Sequence, residues 1–298
     1  MKGNGKRVFR VALAGIGISF CLEGNIHGSL FQGRSGAFGA PGQGREDIRL
    51  HVVKGSLPSM KIMERVFDSG TTWALYRSEK RYVLQDHALE GDSRPTRLLV
   101  LEPDLRSGYL YLENESPAYG QPTDPLGYPL NQLLIILLLK EGRGILVHAC
   151  GIEDRGEGYL FLGRSGDGKS TMGEIWHRKG AQVLNDDRII IREEKGAFRM
   201  YGTPWHGTFK ECSPKGVPVS RIFSLGKGKQ NSIIRAERSQ ALSGILTRAF
   251  PPLWDRKGMD FTLELCHRMV DAVPCYNLDF RPDEEVVEFI RGTTYPDA

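Results

Sequence analysis

The sequence lacks the features of a disulfide-stabilised protein and those of a nucleic-acid-binding protein. Its five cysteines are an odd number and include no C-x-x-C spacing, which argues against a disulfide framework and against a zinc site. No run of lysines and arginines is long enough to resemble a nucleic-acid-binding tail. These absences predict a protein of a reducing, cytoplasmic compartment, with nucleic acid not among its expected partners.

Long apolar runs are also scarce. The run 11–22 follows a basic start, but no A-x-A cleavage signature follows it. Its large apolar residues alternate with small ones from residue 16 onward, which predicts a β-strand. The run 133–139 is far shorter than the roughly 20 residues that cross a bilayer and predicts a buried helix. We therefore expect no membrane partner.

The composition is that of an ordinary soluble protein. The chain has 298 residues, of which 40% are hydrophobic and 26% charged, and this suits one large or two medium domains. The formal net charge of +4 is mildly basic. A small positive excess favours acidic ligands such as phosphates.

The two parts of the chain have different patterns. Residues 1–125 predict a β-rich N-terminal domain that includes a glycine-rich, irregular loop at 28–44. The strands predicted in this domain are short and separated by turn residues: 73–77, 81–84, 97–101 and 109–112. Prolines and glycines at 116–129 predict a linker.

Residues 126–298 predict strands flanked by helices, and therefore an α/β (α+β) domain. The predicted helices are 129–140, 170–179, 240–250, 255–271 and 283–290. The predicted strands are 145–150, 159–162, 182–184, 188–191, 198–201 and 276–280.

A phosphate-binding loop is predicted between the strand 159–162 and the following helix. Residues 163–170 match the pattern G-x-x-x-x-G-K-[ST], and Thr171 follows it directly. The candidate phosphate-binding residues are Gly163, Arg164, Ser165, Gly166, Asp167, Gly168, Lys169, Ser170 and Thr171. The glycines let backbone N–H groups wrap phosphate oxygens, and the helix N-terminus adds partial positive charge. Lys169 can then reach the β- and γ-phosphates of ATP, and the Ser170 hydroxyl can bind Mg²⁺.

Two adjacent carboxylates, Asp186 and Asp187, end the strand after this helix. Adjacent strand residues point to opposite faces, so normally one of them faces the phosphates. One can hold Mg²⁺, directly or through water, and if the local twist admits both carboxylates to the site, the other can take a proton from a hydroxyl. The sequence does not show which carboxylate binds the metal ion and which accepts the proton. The alternative interpretation is that the pair forms an acidic turn at the start of a hairpin. His148, on the strand 145–150, is either structural or part of the site.

The order and spacing of His148, the loop 163–170 and the pair Asp186 and Asp187 resemble the catalytic domain of the bacterial HPr kinase/phosphorylase family. The resemblance covers about residues 144–192. It implies a fold similar to ATP-dependent phosphoenolpyruvate carboxykinases, in which the phosphate loop follows a β-hairpin. It also implies that the γ-phosphate of ATP is transferred to a serine hydroxyl.

The same resemblance implies a role for each candidate residue. Lys169 would neutralise the transferred phosphate, and Ser170 and one carboxylate of Asp186 and Asp187 would hold Mg²⁺. The other carboxylate would be the general base. His148 would contact the phosphate or orient the acid pair. In the homologous kinases the chains assemble into rings, which makes a homo-oligomer compatible with the resemblance.

The chain departs from the regulators of sugar uptake in this family. Their glycine- and arginine-rich signature is absent at 202–207, which argues against HPr as the substrate. The segments 124–130 and 273–278 resemble HPr-kinase-related proteins that are associated with peptide modification. The resemblance therefore implies a peptide or protein as the acceptor.

Several residues and functions have alternatives. Trp205 and His206 could form a wall for the acceptor, or Trp205 could pack beneath a loop. Arg188 and Arg192 could supply charge in the transition state, or could be solvated hairpin arginines. A kinase for free serine or another small alcohol, and a nucleotide-sensing module without turnover, are the competing functions.

Overall fold

The computed structural model describes residues 7–22, 34–40, 44–59, 63–70, 72–78, 80–86, 95–113 and 126–295. These form a mixed α/β structure, mostly of strands, in three sheets. The chain divides into two compact units, residues 1–138 and 139–298. Most of the loop 28–44 and of the linker 116–129, and the start of the segment 124–130, lie outside the described residues. The domain boundary at 125/126 stays a prediction.

The first unit is built on eight strands: β1 (Arg7–Leu13), β2 (Ile16–Leu22), β3 (Ile48–Lys54), β4 (Glu64–Asp68), β5 (Trp73–Ser78), β6 (Arg81–Asp86), β7 (Arg97–Leu101) and β8 (Ser107–Leu112). They form one sheet in the order β1-β2-β3-β8-β7-β6-β5-β4. A 3-10 helix covers Arg34–Phe38, and the helix α1 covers Leu130–Leu139. None of the helices in the described ranges is both long and apolar enough to cross a membrane.

The predicted strands of the first unit are confirmed. The four short strands correspond to β5 to β8, and the alternating run corresponds to β2. The strands β1, β3 and β4 were not predicted. In β3, Ile48, Leu50 and Val52 are fully buried and alternate with more exposed residues, so a search for period-two alternation could have found it.

The second unit contains ten strands: β9 (Ile145–Val147), β10 (Ala149–Asp154), β11 (Glu157–Leu162), β12 (Gln182–Asn185), β13 (Ile189–Glu194), β14 (Ala197–Gly202), β15 (Gly216–Pro218), β16 (Arg221–Lys227), β17 (Ser232–Arg235) and β18 (Cys275–Phe280). Its helices are α2 (Lys169–Arg178), α3 (Arg238–Leu246), α4 (Arg256–Ala272) and α5 (Glu285–Gly292). The strands form a six-stranded sheet, β12-β10-β11-β16-β18-β17, and a four-stranded sheet, β15-β14-β13-β9.

The six-stranded sheet has a hydrophobic core on each face. In β11, Leu160 and Leu162 belong to a core that includes residues of the four-stranded sheet, α3 and α4. Tyr159 and Phe161 of the same strand point to the other core, which includes residues of α2 and α5. The alternation of β11 therefore buries both faces, and its C-terminal end leads directly to residue 163.

The prediction of a single strand over residues 145–150 is wrong. Residues 145–147 form β9 and pair with β13 in the four-stranded sheet, whereas β10 starts at Ala149 and pairs with β11 and β12. His148 lies in the break, where its backbone N–H donates to the carbonyl of Arg248 at 2.7 Å. The run Ile-Leu-Val-His-Ala-Cys contains no turn residue, so only the pairing of distant strands reveals the break.

The other predicted elements of the second unit are present with small shifts of their ends. The helix predicted to reach residue 250 ends earlier, at Leu246, because residues 248–250 make backbone contacts with 146–148. The strands β15, β16 and β17 were not predicted. β16 lies between β11 and β18 and runs parallel to both, so it is central to the sheet that carries the loop.

A buried ion pair fastens the C-terminal helix to the β10–β11 hairpin. Arg291 of α5 donates from Nε and from one terminal nitrogen to the two oxygens of Asp154, at 3.0 and 2.8 Å. Arg291→Ala leaves the buried Asp154 carboxylate without its counter-charge, so we expect the free energy of unfolding to fall by about 3 kcal/mol in urea titrations. The matched change of an exposed arginine, Arg281→Ala, should leave the midpoint near that of the parent chain.

Candidate active site

The loop at 163–168 joins the end of β11 to the start of α2. Gly166 and Gly168 have φ values of +86° and +101°, which glycine adopts at little cost. The helix begins at Lys169 without a side-chain cap, so its first N–H groups are open to an anion. Asp167 braces the loop by accepting a hydrogen bond from the backbone N–H of Arg164.

Lys169 folds over the loop. Its Nζ donates to the carbonyl oxygens of Gly163 and Arg164 at 3.0 and 3.1 Å. Burial lowers the pKa of Lys169 below its ordinary value, the charges of Asp187 and Asp167 oppose the shift, and the charge of Arg248 adds to it. The ammonium group is therefore already part of a dense group of charges at the loop.

Asp186 joins the loop to the segment 203–209. Its Oδ2 accepts hydrogen bonds from the Ser170 hydroxyl at 2.6 Å and from the N–H of Phe209 at 3.0 Å, and its Oδ1 accepts from the N–H of Gly207 at 2.7 Å. Thr208 donates its hydroxyl to the Ser170 oxygen at 3.2 Å. A carboxylate and a hydroxyl oxygen side by side are the kind of ligands that Mg²⁺ accepts.

Asp187 has different neighbours. His148 Nε2 lies 3.0 Å, and a terminal nitrogen of Arg188 lies 2.6 Å, from its Oδ1. Burial raises the pKa of Asp187, but the His148 hydrogen bond and the charges of Arg188, His148 and Lys169 outweigh burial and lower it overall. Asp187 is therefore ionised at neutral pH. Both of these contacts fall on Oδ1.

Asn185 fixes the bend that holds both carboxylates. It is fully buried, and its Oδ1 accepts from the N–H groups of Asp187 and Arg188, each at 2.7 Å. Its Nδ2 donates to the carbonyls of Thr203 and Trp205 at 2.8 and 3.1 Å. Strand alternation predicted one carboxylate facing the loop. In this bend each carboxylate instead contacts a different residue of the site. An asparagine just before an acid pair is a turn signal that could have revealed this.

The remaining candidates lie at the edge of this group. Trp205 and His206 belong to the segment 203–209, and His206 Nδ1 contacts the carbonyl of Gly207 at 2.9 Å. The guanidinium of Arg188 lies over the ring of Phe250, 4.5 Å from its centroid. Arg192 instead donates to the carbonyl of Arg143 and pairs with Glu194. No motif or spacing in the sequence pointed to Thr208, Arg248 or Phe250.

The position of Gly168, at the start of α2, has no room for a side chain. A Cβ on Gly168 would lie 2.7 Å from the ring of Phe280, in addition to the strain of its positive φ. The sequence predicts that this loop binds ATP, and on that prediction Gly168→Ala should weaken ATP binding by about tenfold, since strain of about 1–3 kcal/mol would distort the loop. Binding calorimetry measures this. Gly180→Ala is the control, because Gly180 has a φ of +83° and open space around it; an equal loss there would contradict the explanation.

Comparisons with known proteins give a distant likeness. No protein-family model and no curated protein matches the sequence. Among solved structures, the HPr(Ser) kinase/phosphatase from Coxiella burnetii is similar at 16% sequence identity and a TM-score of 0.31. The match covers 49% of this chain and 95% of that protein. A likeness at this TM-score carries no functional conclusion.

Proposed function

We propose that this chain is an ATP- and Mg²⁺-dependent kinase that transfers the γ-phosphate to a hydroxyl, namely a serine of a peptide or protein. One observation carries the proposal: adjacent carboxylates beside a phosphate-binding loop have different partners, Ser170 for Asp186 and His148 for Asp187. A module that only binds a nucleotide needs the loop alone. Two carboxylates with separate partners supply the metal ligand and the base that transfer needs.

ATP and Mg²⁺ fit the residues that are present. Ser170 and Asp186 would hold Mg²⁺, because their oxygens are already adjacent and Mg²⁺ is usually bound by one or two carboxylates together with substrate phosphates. The metal ion would neutralise charge on the phosphate oxygens. The N-terminal turn of α2 and Lys169 would bind the phosphates themselves.

The acceptor is activated by Asp187 in this proposal. Its Oδ2 takes the proton of the acceptor hydroxyl while the hydroxyl oxygen forms a bond to the γ-phosphorus and the bond from that phosphorus to ADP breaks. His148 holds Oδ1 of the same carboxylate and so positions it. Lys169 compensates the charge of the phosphoryl group during transfer. These assignments make Asp187 the base and Asp186 the metal ligand.

The surroundings of the loop support the finer parts of the proposal. The β10–β11 hairpin leads without interruption into residue 163, which is the arrangement that a fold similar to phosphoenolpyruvate carboxykinases implies. The segment 203–209 borders Ser170 and Asp186 through Thr208 and two backbone N–H groups. We assign this segment, with Trp205 and His206, to the acceptor side of the site.

The test is a transfer assay with the full chain, Mg²⁺ and ATP labelled at the γ-phosphate. Serine-containing peptides are compared with free serine and with glycerol as acceptors. We expect label in peptide serine, and its loss when Mg²⁺ is removed with a chelator. Transfer to small alcohols alone would overturn the peptide acceptor in favour of a metabolite kinase. ATP binding without transfer to any acceptor would favour the nucleotide-sensing module.

A further inference from the structure

The six-stranded sheet ends in an open edge at β17. Within the described ranges, β17 pairs with β18 on one side and with no strand on the other. The N–H of Ala236 donates to the carbonyl of Cys275 at 3.0 Å, and hydrogen-bonded pairs alternate along an antiparallel ladder. The register therefore turns the N–H and C=O groups of Ile233 and Arg235 away from β18. Outward backbone groups of this kind are a template for a further strand.

The side chains along this edge leave it accessible. Ile234 is 65% exposed. Arg235 is also exposed, and its guanidinium carbon lies 5.5 Å from the centroid of the Tyr276 ring. The strand β17 contains no proline and no bulge against β18, which are two of the features that block an edge. Ile234 offers apolar surface on one face of an added strand, and Arg235 offers a positive charge on the other face.

The edge starts at the same end of the sheet as the phosphate-binding loop. The strands β16 and β18 run parallel to β11, so all three end on the side where residue 163 begins the loop. The ring of Phe280, at the end of β18, lies so close to Gly168 that a Cβ there would be 2.7 Å from it. Ser232, at the start of β17, is opposite Asp279. A strand added antiparallel to β17 therefore points its C-terminal end toward the loop.

The size of the edge favours a transient partner. Because β17 has four residues and only two face outward, an added strand makes about four backbone hydrogen bonds with it. A stable dimer needs about 1,200 Å² or more of buried surface, which so short a strand does not supply by itself. A substrate that leaves after transfer suits a weak contact. The outward groups match another extended backbone, so the occupant is a peptide segment.

We propose that β17 binds an extended segment of the peptide or protein acceptor as an added antiparallel strand. This inference rests on the proposed function for the identity of the occupant as the acceptor. The added strand lies four strand spacings, about 19 Å, from β11. An extended chain covers that distance in about six residues. The acceptor serine is therefore expected about six residues C-terminal to the docked segment.

The experiment selects binders to the full chain, without nucleotide, from a library of random peptides that each contain one serine. Fluorescence anisotropy then measures the affinity of the selected peptides. Arg235→Pro removes the outward N–H and leaves the hydrogen bonds to β18 in place, so we expect it to weaken binding by about tenfold. The matched control is Arg235→Ala, which removes the charge and keeps the N–H. It should weaken binding by less than about threefold.

A second measurement needs only the parent chain. N-methylation of single peptide residues should weaken binding at alternate positions, since every second N–H of an added strand faces β17. Equal effects at consecutive positions would overturn the added strand, and so would an unchanged affinity of a folded Arg235→Pro variant. If thermal unfolding shows that this variant does not fold, the N-methyl series decides. A dimer of the parent chain in sedimentation that Arg235→Pro abolishes would assign the edge to a second copy and overturn the peptide.

The outcomes separate this inference from the proposed kinase. A library without binders, together with transfer to peptide serine, overturns the edge site and leaves the kinase. The alternating pattern without transfer contradicts the kinase and leaves the added strand. Among peptides that accept phosphate, transfer should be fastest with serine about six residues C-terminal to the docked segment. A rate independent of this spacing would overturn the link between the edge and the loop. Neither binding nor transfer with any peptide overturns both proposals.

Discussion

Asp187→Asn is expected to transfer phosphate about a thousandfold more slowly than the parent chain while binding ATP with nearly the same affinity. The amide keeps the shape of the carboxylate but cannot take the proton of the acceptor hydroxyl. Single-turnover transfer and binding calorimetry measure the two effects separately. Asp260→Asn is the matched control, since Asp260 is exposed on α4, and it should behave as the parent chain does.

Asp186→Asn distinguishes the two carboxylates. Because Asp186 contacts the Ser170 hydroxyl, we expect this variant to need a higher Mg²⁺ concentration for half-maximal transfer, whereas the Asp187 variant keeps the Mg²⁺ requirement of the parent chain. The reverse pattern would exchange the assigned roles. Equal activity of the parent chain and Asp187→Asn would exclude Asp187 as the base.

Lys169→Met is expected to reduce transfer by about a hundredfold to a thousandfold, which is typical for the loss of one preorganised group that stabilises charge in a transition state. Methionine fills a similar volume without the charge. ATP affinity should fall as well, because the ammonium group would bind the β- and γ-phosphates in the proposed complex. Initial rates at saturating ATP and calorimetric titrations measure these changes.

The control for this change is Lys257→Met. Lys257 is exposed in the first turn of α4, so its loss removes the same charge without touching the site. Transfer by Lys169→Met within about tenfold of the parent rate would be inconsistent with electrostatic stabilisation by this lysine. A lower melting temperature of Lys169→Met without nucleotide would show that the two hydrogen bonds to the loop carbonyls also hold the loop.

Local patterns predicted the part of the site that is contiguous in sequence. The strand, the loop at 163–168 and the helix α2 follow one another within about twenty residues, and each has its own pattern of apolar residues or glycines. The pair Asp186 and Asp187 was found by the same reasoning, since it directly follows the next strand. These features depend on neighbours in the chain, which the sequence displays directly.

The parts that the sequence did not reveal depend on distant pairing. The break at His148 arises because β9 and β10 pair with strands of different sheets. The carbonyl of Arg248 contacts His148 because residues 248–250 pair with 146–148, and no spacing rule connects positions about a hundred residues apart. The strand β16 begins with Arg221 and ends with Lys227. These charged residues at its ends made the strand difficult to recognise from the sequence, although residues between them are buried.

The strand break at His148 also links activity to the integrity of the second unit. The histidine is held from one side by β9 in the four-stranded sheet and from the other by β10 in the six-stranded sheet. Separation of the two sheets would open the core that they share and pull His148 from Asp187, while the second core, on the other face of the six-stranded sheet, stays packed. Loss of transfer should precede the main unfolding transition in rising denaturant, so that enzyme assays would report partial opening of this unit earlier than circular dichroism does.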